Sequence, residues 1–282
     1  EIMRHIELHR VTTLFLPPTA IYAMLAHPRV REFDYSSLRH FIYAAAPMSS
    51  EKLKEAIDVF GPVMAQTYGQ AESPMLCTFM SPHDHNVVGN PKLERRLQSC
   101  GRPTVFTQVE IMDDEGKLLG PEERGEIVTR GNLVMKGYYK NPKATEEASK
   151  FGWHHTGDIG LKDVDGFVYI VDRKRDMIIS GGFNLYPSEI EQVIWGHPSV
   201  QDCAVIGVPD EKWGEAVKAV VECKPGQSVS PEEVMSFCRE RLGGMKAPKT
   251  VEVWPQLPRS AVGKVLKKDL REQYWQDSGR KV

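Results

Sequence analysis

The apolar run Phe167-Val-Tyr-Ile-Val171 leads directly into the charge cluster Asp172-Arg-Lys-Arg-Asp176. Met177-Ile-Ile179, the break Ser180-Gly-Gly182 and the helix start Pro187-Ser-Glu-Ile-Glu191 follow at once. A β-type run, a charge cluster, a second short strand and a helix start cannot share one element. Composition also differs on the two sides. The stretch therefore reads as a junction between domains, and 282 residues suit one large domain or two smaller ones.

Upstream, Val11–Leu16, His40–Ala46 and Val63–Tyr68 are strand-like runs separated by helical patterns. Ile2, Met3 and Ile6 fall at helical spacing, and Ala20–Ala26 reads as a short helix. Ser49 is placed to cap the helix closed by Gly61-Pro62. Strands alternating with helices predict a parallel α/β lobe over residues 1–100, with ligands at the carboxyl ends of the strands. That singles out the loops Ala44–Ser49 and Gly69–Pro74. From Gly101 the pattern becomes strand–turn–strand, with turns at Asp113–Gly116 and Asp163–Gly166. Residues 101–171 read as an antiparallel sheet or small β-barrel-like subdomain.

After Asp172 the pattern is a compact α+β unit over residues 172–282. Ser188–Glu191 and Ser230–Glu233 both carry capping-box spacing. Cys203–Val208, Ala216–Cys223 and Thr250–Trp254 are strand-like, and Gly243-Gly244 predicts the end of the second helix. Pro258–Lys264 is a polar loop before a last short helix.

With 41% hydrophobic residues the chain can bury real cores. A net charge of −2 with signs interspersed gives no footprint for nucleic acid or an acidic membrane. No apolar run approaches the ~20 residues that cross a bilayer. Five scattered cysteines without CxxC pairing read as reduced thiols of a cytoplasmic protein. The chain starts at Glu1 with a helix leading straight into a buried strand, which is read as the remainder of a longer domain.

Several loops carry candidate chemistry. In Tyr68-Gly-Gln-Ala-Glu72, Gly69 lets a ligand approach backbone and Glu72 is a hard oxygen ligand suited to Mg²⁺. Thr156-Gly-Asp158 presents a carboxylate able to accept from a ribose diol. Arg173 suits a phosphate or ribose, and Gly263-Lys264 offers a cation for developing phosphate charge. Taken singly, each is matched by a plainer reading: a solvated Glu, a turn Asp, a salt-bridged surface cluster and a surface lysine. His154-His155 point to opposite faces of a predicted strand and cannot share a metal. His83-Asp-His85 lacks a third ligand and reads as a polar loop. No Walker, GxGxxG or nucleophile-elbow pattern occurs.

The motifs are distinctive in their order. Ala44-Ala-Ala-Pro47, Tyr68–Glu72, Thr156–Asp158, Asp172-Arg173, Gly182–Glu191 and Pro258–Lys264 together resemble the acyl-CoA synthetase branch of the adenylate-forming enzymes, across essentially the whole chain. The resemblance implies the end of a large AMP-binding domain (1–171) followed by a small mobile C-terminal domain (172–282). It implies that a carboxylate attacks the ATP α-phosphate, and that coenzyme A then displaces AMP. A fatty acid is the favoured substrate. On this resemblance Ala45, Gln66, Tyr68, Gly69, Ala71, Asp158 and Arg173 meet the nucleotide, and Glu72 holds Mg²⁺. Lys264 is the catalytic cation, Asp172 is the hinge, and Ser180, Gly181, Gly182 and Phe183 line the pantetheine path. ATP or AMP, Mg²⁺ and coenzyme A are the expected cofactors, no nucleic-acid partner is expected, and a homodimer is left open.

Two departures stand out. Ala71 replaces a threonine common in the family, so one hydroxyl contact to phosphate is lost. The Ser/Thr/Gly-rich loop ending in Pro-Lys that cradles the outer phosphates is not within residues 1–282. The chain alone is therefore expected to be inactive. The other readings are an enzyme that loads a carrier protein, or a nucleotide-binding module without turnover.

Overall fold

In the computed structural model, which describes residues 1–46, 48–260 and 265–275, the chain divides into two compact units, Glu1–Ile170 and Val171–Val282. The first opens with α1 (Ile2–Leu8), which buries Met3 and Ile6. Strands β1 (Thr13–Leu16), β2 (His40–Tyr43) and β3 (Met64–Tyr68) pair in parallel, with α2 (Pro18–Leu25) and α3 (Ser50–Phe60) as crossovers. α3 buries Leu53, Ala56 and Phe60 at helical spacing. Ser49 holds the N-cap position of α3, but its hydroxyl makes no cap bond; its backbone N–H donates to the Tyr22 hydroxyl at 2.8 Å.

The sheet is not purely parallel. β4 (Thr78–Met80) and β5 (Arg102–Pro103) complete the order β1-β2-β3-β4-β5 in antiparallel pairing. No helix separates β3 from β4, so the chain turns straight back on itself. After β4, residues predicted as a polar loop form a helical turn, α4 (Pro82–His85), capped by Ser81 and Asp84. Its His85 is buried.

Strands β6 (Thr107–Met112), β7 (Gly125–Gly131), β8 (His154–Lys162) and β9 (Val168–Arg173) form an antiparallel meander, with α5 (Pro142–Ala148) between β7 and β8. The described residues close no barrel, because β6 and β9 end the strand order.

The second unit has a sheet ordered β11-β10-β13-β12, made of β10 (Ile178–Ser180), β11 (Phe183–Leu185), β12 (Val200–Asp210) and β13 (Gly214–Cys223). β14 (Thr250–Trp254) pairs with β13 in parallel. Alternation along β12 fills two cores. Cys203 and Val205 pack with Ile190 and Ile194 of α6 (Pro187–Trp195) and Val234 and Cys238 of α7 (Pro231–Lys246). Ala204 and Ile206 pack with Leu270 of α8 (Lys267–Trp275).

Of the two predicted capping boxes, only the second makes its cap bond. Ser230 Oγ accepts from the Glu233 N–H at 3.1 Å. α6 begins two residues earlier than expected, at Pro187, with Tyr186 in the N-cap position and no side-chain cap bond. The Ser188 N–H donates instead to Asp172 Oδ2 at 2.8 Å, and the Ser188 hydroxyl donates to the Val171 carbonyl. Gly243 breaks the helical path of α7 at φ 75°, and one more turn carries it to Lys246.

Candidate active site

β2 and β3 run parallel, so the loops after Tyr43 and Tyr68 leave the sheet at the same edge. Ala45, in the first loop, is exposed and sits at φ 76°, in the left-handed region that costs a non-glycine residue energy. In the second loop the Gln70 N–H closes on the Ser73 carbonyl at 2.9 Å. A Cβ at Gly69 would lie 2.7 Å from that same carbonyl oxygen, so only glycine fits.

The second loop meets β8. The Tyr68 hydroxyl donates to Asp158 Oδ2 at 2.6 Å. Gln70 Nε2 donates to the same oxygen at 3.1 Å and to the Thr156 carbonyl at 2.7 Å. Burial first, and the Asp158 carboxylate second, hold the Tyr68 phenol well above its ordinary pKa, so it acts as a neutral donor. Asp158 is only 2% exposed and belongs to an internal network at β3 and β8. His154 Nε2 stands 3.5 Å from Gln70 Oε1, and burial lowers the His154 pKa.

Asp158 owes its position to a bulge. Val128 pairs with His155 and Glu126 with Ile159, so Thr156-Gly-Asp158 stands opposite Ile127 alone. Bulges of this kind re-aim side chains. The Thr156 hydroxyl donates to the Ile127 carbonyl at 2.6 Å and accepts from the Asp158 N–H at 3.1 Å.

The remaining candidates of this unit lie around the network. Gln66 is half-buried on β3, its Oε1 3.1 Å from the Tyr43 hydroxyl, which lies 2.9 Å from His85 Nε2. Ala71 is exposed. Glu72 is half-buried; its Oε1 accepts from the Tyr138 hydroxyl at 2.8 Å and its carbonyl from the Met135 N–H at 2.7 Å. No cluster of three or more metal-binding side chains occurs among the described residues. A single carboxylate such as Glu72 fits Mg²⁺, which takes one or two protein carboxylates when nucleotide phosphates and water supply the rest.

In the second unit, Asp172 is buried, its Oδ1 accepting from the Arg173 N–H at 2.7 Å and its Oδ2 from the Ser188 N–H. Arg173 is exposed. Ser180 pairs with Phe183, and Gly181 and Gly182 sit between them at φ 57° and 82°. Two consecutive positive φ values are what a tight two-residue hairpin needs, so these glycines have a purely local reason as well. Phe183 is exposed. Lys264 lies outside the described residues.

From the sequence alone, Gln70, Thr156 and His154 carry no role at this site; His154 enters only as half of a rejected metal pair. Gln70 and Thr156 sit inside quoted motifs, but their partners are distant in sequence, and only the fold brings them together.

The AMP-binding enzyme family matches residues 1–139, and the AMP-binding enzyme C-terminal domain matches residues 189–264. A medium/long-chain-fatty-acid–CoA ligase, FadD8, from Mycobacterium tuberculosis is 43% identical over 100% of this chain and 49% of its own length. A feruloyl-CoA synthase from Amycolatopsis sp is 40% identical over 97% of this chain and 54% of its own. The structure of the amide bond synthetase McbA from Marinactinospora thermotolerans superposes with a TM-score of 0.88 at 34% identity, over 97% of this chain and 55% of that one. The chain thus belongs to the AMP-binding enzyme family, with both its main and its C-terminal domain models matched. It spans about half the length of the curated relatives it matches.

Proposed function

We propose that the chain is the nucleotide-binding and C-terminal part of an ATP-dependent fatty acid–CoA ligase that works through an acyl-adenylate. The observation that carries this reading is the meeting of Tyr68 and Gln70, at the end of β3 and in the loop after it, with Asp158 in the bulge of β8. The family resemblance assigns both segments to one nucleotide.

On this reading the Tyr68–Asp158 network orients the ribose side of ATP. Ala45, Gln66 and Gly69 shape the base and acyl surface. Glu72 would hold Mg²⁺, which neutralises phosphate charge when bound. Lys264 balances charge as the carboxylate displaces pyrophosphate, the electrostatic contribution that dominates many active sites. Asp172 is the pivot of the second unit, and Ser180–Phe183 border the pantetheine path in the thioester step.

A panel of carboxylates tested with the full-length protein, ATP and CoA checks the reading. Acyl-CoA and AMP formation with medium or long fatty acids is expected; no carboxylate-dependent pyrophosphate release with any acid overturns it. Residues 1–282 alone are expected to bind AMP without turnover. A different acceptor is the second reading, favoured by the likeness to an amide bond synthetase. It is supported if the acyl-adenylate forms but free CoA fails to discharge it, while an amine or a carrier-protein phosphopantetheine succeeds.

A further inference from the structure

The bulge that presents Asp158 creates a difficulty for its own backbone. Gly157 sits at φ 69° and its N–H has left the β7–β8 ladder. An amide left unpaired there costs free energy comparable to a lost hydrogen bond. The group that meets it is the side chain of Glu126 on the facing strand β7. Glu126 Oε1 accepts from the Gly157 N–H at 3.0 Å, while Oε2 stands 3.1 Å from His155 Nδ1. His155 Nε2 in turn stands 3.1 Å from the Lys150 carbonyl. The Glu126 side chain is 10% exposed and that of His155 14%. A carboxylate so withdrawn from water is costly unless its oxygens are used. Both oxygens are used here, on the residues before and within the bulge.

We propose that Glu126 is a positioning residue that clamps the Thr156–Asp158 bulge, so that the Asp158 carboxylate is held in register with Tyr68 and Gln70. Its effect on nucleotide binding rests on the reading of Asp158 given above. Glu126 itself touches no substrate. Thr156 fixes one side of the bulge through the Ile127 carbonyl, and Glu126 fixes its apex and its His155 side.

The test uses purified residues 1–282, with AMP as the probe and four variants: Glu126→Ala, Glu126→Gln, Asp158→Ala and the core control Val109→Ala on β6. Calorimetry is expected to show Glu126→Ala and Asp158→Ala each weakening AMP by about tenfold or more, the scale of one charge-assisted hydrogen bond. Glu126→Gln keeps an acceptor for the Gly157 N–H and is expected to restore most of the affinity. Val109→Ala is expected to lose thermal stability with unchanged affinity, which separates clamping from general destabilisation. Amide hydrogen exchange at Gly157 reads the clamp directly: it accelerates in Glu126→Ala and stays slow in Glu126→Gln. Wild-type affinity in Glu126→Ala alongside a weakened Asp158→Ala overturns the proposal, as does unchanged Gly157 exchange in Glu126→Ala. If Glu126→Ala does not fold, Glu126→Gln decides, and fast Gly157 exchange in it overturns the clamp. If wild type and Asp158→Ala both fail to bind AMP, the nucleotide reading falls, and Gly157 exchange still decides the clamp.

Discussion

The Tyr68 hydroxyl donates to Asp158 Oδ2 at 2.6 Å, tying the last residue of β3 to a bulged strand of a different sheet. Both side chains are buried, so the bond is made where water cannot replace it. Hydrogen bonds to charged groups contribute about 1.5–3 kcal/mol. Tyr68→Phe is therefore expected to lower the unfolding free energy by about that amount. Adding Asp158→Asn in the Tyr68→Phe background should recover part of the loss, because an amide tolerates a missing donor better than a carboxylate. Urea denaturation of the single and double variants measures the coupling; strictly additive effects would refute it.

A pH dependence follows from His85. Its Nδ1 lies 2.8 Å from the Ser81 carbonyl, so that nitrogen carries the proton and Nε2 accepts from the Tyr43 hydroxyl. Burial pushes the His85 pKa down from 6.5 to about 4. Between those values the unfolded chain binds a proton that the folded chain does not. Stability from this residue is therefore full above pH 6.5 and is lost as pH falls toward 4. At about 1.4 kcal/mol per pH unit, the window is worth about 3 kcal/mol. His85→Asn keeps a donor for the Ser81 carbonyl and removes the titration. The difference between wild-type and variant unfolding free energies should shrink through this window as pH falls; parallel profiles would contradict the assignment.

His85 also marks where sequence reading stopped. Strand positions followed from local periodicity, and β14 falls on the predicted Thr250–Trp254. The loops after β2 and β3 followed from helix–strand alternation. By contrast, His83-Asp-His85 looks polar because its composition is polar. His85 is buried because Tyr43 and the Ser81 carbonyl satisfy both ring nitrogens; Ser81 is four residues away, but Tyr43 is 42 residues upstream and only the fold brings it near. Ser188 makes no cap bond for a similar reason: its hydroxyl donates to the Val171 carbonyl and its N–H to Asp172, partners that the local helix pattern does not reveal. A strand–turn–strand pattern leaves sheet and barrel both open, because it carries no count of the strands needed to close; the described residues form the open sheet.

Gly69 offers a steric prediction. Its missing side chain leaves room for the Ser73 carbonyl and the Met75 backbone, neither of which can yield as a flexible side chain would. Gly69→Ala should force the 69–74 loop to shift, at a cost of about 1–3 kcal/mol. Tyr68 and Gln70 flank the site of the shift, so AMP affinity should fall along with thermal stability. Calorimetry together with thermal unfolding checks this. A variant that keeps both would show that the loop has slack absent from this structure.

The second unit holds a buried ion pair whose removal should be asymmetric. Lys267 Nζ lies 2.8 Å from Glu191 Oε1, and that same oxygen accepts from the Val205 N–H at 2.7 Å. Burial pulls the Lys267 ammonium down, but the carboxylates of Glu191, Asp172 and Asp176 outweigh it and leave its pKa raised. Lys267→Met removes the cation and strands a buried carboxylate, which costs about 3–5 kcal/mol. In Lys267→Met with Glu191→Gln, the amide oxygen still receives the Val205 N–H and the Glu191 charge no longer needs a partner. The double variant should thus regain most of the lost stability in urea denaturation. A double variant no more stable than Lys267→Met alone would mean that Lys267 acts mainly on Asp172 and Asp176 instead of Glu191.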